Sequence, residues 1–178
     1  GDPIEENRAA VLAMALYVMG IDVPSVLGDQ EGNIPVQGRH RVTLGGRYDY
    51  AQHFVISAGL TLGTSTGIAA FLGQIKELDD ARSGGSGFSF MDLGMDQTGV
   101  RFAKLVIASE ETARSVQDML SVNLDEAVFL AEFSDLPPSM TQASFQEQFG
   151  GVGQPAYNRI VETIEARIGT VPLFSLFE

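Results

Sequence analysis

The sequence predicts an all-α fold: a single-domain, irregular helix bundle of about six or seven helices with one long loop-rich insert. Three observations carry that expectation. The 178 residues, 44% hydrophobic and 19% charged, suffice for one domain with its own core but not for two. Helix start and stop signals punctuate the chain: Pro3 and Gly20 bracket the first apolar stretch, Ser89 opens another, and Thr141 and Pro155 open two more. Only Arg41-Val42-Thr43-Leu44 reads as a short strand or extended arm.

Taken in order, Pro3 to Met19 is the first helix. Pro3 suits its first turn, and Glu5 and Glu6 complement the positive end of its dipole. It is apolar nearly all round from Ala9 to Met19, which predicts a central position, and Gly20 closes it. Ile21 to Gly46 holds Pro24, Pro35 and five glycines and reads as a loop-rich excursion, either a site wall or a surface loop. Residues 48–108 form a three-helix segment. Its helices run over Tyr48–Leu62 with Asp49 as cap, from Thr64 or Ser65 to Arg82, and from Ser89 to about Ala108. Gly59, Gly63 and Gly67 recur every four residues, a weak close-approach stripe that the turn at residue 63 interrupts. Ser89 with Asp92 three residues on is a capping-box-like start. Short helices are expected over Glu110–Ser121, Asp125–Phe133 and Thr141–Phe149, and a last one from Pro155 to near Ile168.

Composition excludes several function classes. Without cysteine there is no disulfide scaffold, thiolate zinc site or Cys nucleophile. A net charge of -12 argues against a surface that tracks phosphates, so no nucleic-acid partner is expected. The 22-residue run Phe54–Ile75 carries no charge and is long enough to span a bilayer. Gly63-Thr64-Ser65-Thr66-Gly67 interrupts it, so two short buried helices meeting at a turn are expected instead. Ser83-Gly84-Gly85-Ser86-Gly87 lacks a Walker lysine and a preceding strand, and no Gly-x-Ser-x-Gly elbow is present. The chain opens on Gly1-Asp2-Pro3 rather than Met, which reads as a start left after removal of an export signal.

The informative chemistry lies between Tyr50 and Gly99. His53 and Ser57 are four apart, Glu77 and Asp80 three apart beside Lys76, and Asp92 and Asp96 four apart. Each pair shares one face of its helix. If the three faces converge, His53, Glu77, Asp80 and Asp96 form a catalytic or ligand-binding set in one inter-helical cleft. Ser57, Lys76, Ser89, Asp92 and Arg101 are then candidates for substrate contact. Such a cleft suits two chemistries. One is a hard divalent metal or zinc held by His and carboxylates, although no cofactor motif is identifiable and His-Glu-x-x-His is absent. The other is metal-free acid–base catalysis, with a desolvated Glu77 carboxyl partnered by His53 and Asp80. The bland alternative is a non-catalytic binding or scaffold protein, with these residues tying helices together. Arg39, His40, Arg41 and Arg47 form the one basic cluster, and Phe88 and Phe90 are expected in the core.

The blocks Gln52-His53-Phe54-x-x-Ser57-Ala58, Lys76-Glu77-x-x-Asp80 and Gly85-Ser86-Gly87-Phe88-Ser89-Phe90-x-Asp92-Leu93-x-x-Asp96-x-x-Gly99 carry a resemblance over the middle third of the chain. They are similar to a group of uncharacterised bacterial envelope proteins. More distantly they resemble VanZ-like and predicted periplasmic lipoprotein families, which share a His, a Lys-Glu-x-x-Asp and a Phe-Ser-x-x-Asp-Leu block. The resemblance implies an all-helical, exported or periplasmic protein with an envelope or membrane-proximal partner. It brings no established activity.

Overall fold

A computed structural model describes residues 1–20, 40–63, 87–123 and 125–177. Helix α1 spans Pro3–Met19, with the Asp2 carboxylate accepting the Ile4 N–H at 2.9 Å and Gly20 closing it at φ 73°. α2 is Tyr48–Leu62, α3 is Phe90–Val106 and α4 is Glu110–Val122. A 3-10 turn at Glu126–Val128 precedes α5 (Gln142–Phe149), α6 (Pro155–Gly169) and the single turn α7 (Pro172–Ser175). The fold is an all-α bundle, and no sheet occurs among the described residues.

The most extensive packing is α2 on α3, and α1 lies mainly against α2. Gly99 makes the close approach. A Cβ there would stand 2.2 Å from the Phe54 carbonyl oxygen and 3.2 Å from the Ala58 nitrogen. Polar groups tie the helix ends. Asn7 Nδ2 donates to the carbonyls of Val106 and Ala113 while its Oδ1 accepts from Gln117. Arg8 donates to the Leu62 carbonyl at the end of α2. The bonds to Val106 and Leu62 satisfy terminal carbonyls that have no partner within their own helices. A second layer forms where Phe88 pairs backbone-to-backbone with Met140. There Phe88, Phe90, Phe145, Phe149 and Tyr157 form one aromatic cluster, with Phe90 fully enclosed.

Four expectations need correction. α1 is not enclosed on all sides, for it buries Val11, Ala15, Val18 and Met19 and exposes Ala9, Ala10, Ala13 and Met14. An all-apolar helix shows no preferred face in sequence, so which side its neighbours cover is a tertiary outcome. Asp49 does not cap α2. Arg47 holds the cap position, and Asp49 sits inside the first turn, ion-paired with Arg47. The helix expected over Asp125–Phe133 is one 3-10 turn. Asp125 caps Ala127, Glu126 accepts the Gly45 N–H, and Glu132 accepts the N–H groups of Phe133 and Ser134. The bonds at Asp125 and Glu132 are local and compete with helix continuation. Finally, the chain beyond Ile168 turns once more into α7, whose Leu173 and Phe174 are buried. The helix expected up to Arg82, the glycine loop before Gly87 and most of the 21–46 excursion lie outside the described residues. Of that excursion, Leu44 forms one isolated bridge with Arg47. No described helix is long and apolar enough to cross a membrane.

Candidate functional site

Helical spacing places His53 and Ser57 on one face of α2, and Asp92 and Asp96 on one face of α3. The close α2–α3 contact brings the two faces together. His53 Nδ1 stands 3.1 Å from Asp96 Oδ1, and the Ser57 hydroxyl donates to the same oxygen at 2.7 Å. Across the ring, His53 Nε2 lies 3.6 Å from Asp92 Oδ2. The side chains of His53 and Asp96 are 38% and 39% exposed, and Asp92 is 24% exposed. The group therefore sits at a water-facing seam between helices.

A carboxylate only accepts, so the bond to Asp96 places a proton on His53 Nδ1 and leaves Nε2 as the basic nitrogen. Burial is the largest influence on His53 and opposes its charging. The hydrogen bond to Asp96 and the charges of Asp96, Asp92 and Asp49 outweigh it, so its pKa is raised. Asp92 is also raised, first by burial, although the charge of His53 and the Ser89 hydroxyl favour its carboxylate. Its Oδ1 is buried with no hydrogen-bond partner among the described residues.

The His53 shift sets a pH dependence. Its pKa is higher in the fold than in the unfolded chain, so folding favours the imidazolium. That stabilisation is complete below about pH 6.5, the unperturbed histidine value, and is lost as pH rises through the folded value. His53→Gln is expected to flatten the fall in melting temperature as pH rises above about 6.5. A variant whose profile runs parallel to that of the wild type would contradict it.

The other candidates are placed as follows. Ser89 is 8% exposed, and its hydroxyl accepts the Asp92 N–H at 3.2 Å as the N-cap of α3. Arg101 stands over the Phe174 ring, 5.5 Å from its centroid. Lys76, Glu77 and Asp80 lie outside the described residues, as does Arg39. Of the basic cluster, Arg41 lies over Tyr48 and Arg47 over Tyr50. Among the described residues no three His, Cys, Asp or Glu side chains are arranged to hold a metal ion. Sequence reasoning missed Gln97, Lys104 and Glu165. With Asp96, Val100, Arg101 and Ile168 they line a cleft of about 480 Å³ between α3 and α6. The signal was present, since residues 96, 97, 100, 101 and 104 recur on one helical face. A second hollow of about 600 Å³, between α1, α2 and α3, includes Met14, Val18, Val42, Phe54 and Phe102 in its wall. Tyr17 also lines it, and the Tyr17 hydroxyl accepts the His40 N–H. No protein-family model, curated protein or solved structure matches the chain.

Proposed function

We propose that the seam between α2 and α3 is the acid–base centre of a hydrolase in an exported, envelope-associated protein with a membrane-proximal partner. The location and the partner rest on the resemblance of the His53 and Asp92 blocks. The chemistry rests on geometry. Asp96 fixes the imidazole through Nδ1, Nε2 takes a proton from water as that water attacks the substrate's scissile group, and the imidazolium returns the proton to the leaving group as the scissile bond breaks. Between the two transfers Asp96 stabilises the imidazolium. Ser57 is not the nucleophile, because its hydroxyl donates to Asp96. Its role is to hold the carboxylate that holds His53.

One observation favours this reading over a purely structural network: Asp92 Oδ1 is buried without a partner among the described residues, beside a half-open imidazole. A scaffold built on these residues would enclose and satisfy them. Asp92→Asn separates the two. The raised Asp92 pKa means that the fold favours the neutral acid, so ionised Asp92 costs stability at neutral pH. Removing that charge is expected to leave the melting temperature at pH 7.5 unchanged or higher. A structural ion pair at this water-facing position would instead lose about 1 kcal/mol when one partner goes. For a domain of this size that is a fall of roughly 2 to 4 °C, and such a fall would assign the pair to scaffolding.

A further inference from the structure

The α3–α6 cleft begins at Asp96, the carboxylate that orients His53, and runs along α3 to Lys104. We infer that this cleft is a binding site for a short peptide with free amino and carboxyl ends, lying with its amino end toward Asp96 and its carboxylate toward Lys104. The inference rests on the acid–base reading for what happens to the peptide, not for its binding.

Four features converge on that ligand. The cleft carries opposite charges at its two ends, and Lys104 has no ion-pair partner among the described residues. Glu165, on α6, supplies a second carboxylate and Arg101 a second cation, so the lining suits a ligand that carries both charges over a simple anion. Beside Asp96, Gln97 lines the cleft, and its Oε1 has no donor among the described residues. Val100 and the buried Ile168 give the cleft an apolar floor for side chains. The lengths also agree. The eight helical steps from Asp96 to Lys104 rise about 12 Å, and three extended residues span roughly 10 Å. A volume of about 480 Å³ is in the range of small-ligand sites.

Trialanine is the probe, titrated into the whole protein and followed by calorimetry and by the amide signals of α3 and α6. Wild type is expected to bind it saturably, with the largest shifts at Gln97 and Lys104. The C-terminal amide and the N-acetyl form should each bind about tenfold more weakly. Lys104 is exposed, and methionine is as good a helix former, so Lys104→Met should fold normally. That variant should bind the acid and the amide equally. No saturable binding, equal affinity of wild type for acid and amide, or an unchanged preference in Lys104→Met would each overturn the proposal. If Asp92→Asn destabilises while the Lys104-dependent binding persists, the acid–base reading fails and the cleft stands.

Discussion

Gly99→Ala is expected to destabilise the protein by about 3 kcal/mol, the upper end of what overpacking costs. The melting temperature should fall by roughly 6 to 12 °C. Glycine is required here for space, since the added methyl carbon would stand 2.2 Å from the Phe54 carbonyl oxygen, inside the backbone of α2. No rotamer change relieves a clash with backbone, so α2 and α3 must move apart. The His53–Asp96 bond crosses that same interface one turn from the clash, as does the Ser57 bond. The variant should therefore lose part of the upward shift of His53 as well as stability, both measurable by thermal unfolding and by the histidine ring signals against pH. A Gly99→Ala protein with wild-type melting would show that the helices do not meet this closely.

That contact shows where the sequence was legible and where it was not. The pairs His53/Ser57 and Asp92/Asp96 follow from helical period alone, because spacing of four residues puts two side chains on one face whatever the neighbours do. Caps at Ser89 and Thr141 were equally local, and both hydroxyls accept the expected N–H bonds. The close approach at Gly99 was not local. Gly59, Gly63 and Gly67 carried the visible four-residue spacing, yet the clash-limited position is on α3 and depends on which part of α2 faces it. Asp49 misled for a related reason. Its side chain can cap a helix, but Arg47, two residues away, takes the carboxylate and holds its pKa down. At Asp125–Phe133 three acidic side chains bind nearby N–H groups, one of them 81 positions distant at Gly45, and no window of sequence contains that bond. The cleft at Gln97 and Lys104 needed α6 as its second wall, which the α3 sequence cannot show.

Phe90→Ala is expected to be the most damaging single truncation in the described core, costing about 3 to 5 kcal/mol. Phe90 is fully enclosed, with the Phe88 and Phe149 rings each 4.8 Å from its own. Tyr157 adds a third ring at 5.9 Å, so the cavity left behind is walled by stiff rings that close over it poorly. The residue is also the first of α3, directly after the Ser89 cap and two positions before Asp92. Its ring anchors the end of α3 that carries the site to the layer formed by α5 and α6. The expected result is a melting temperature lower by roughly 6 to 20 °C, together with faster amide exchange over Asp92 to Asp96 than over the distant turns of α3. Phe90→Leu keeps most of the volume and should recover more than half of the loss. If Phe90→Ala were nearly neutral, or if exchange rose evenly along α3, the aromatic cluster would not be what fixes the site end of the helix.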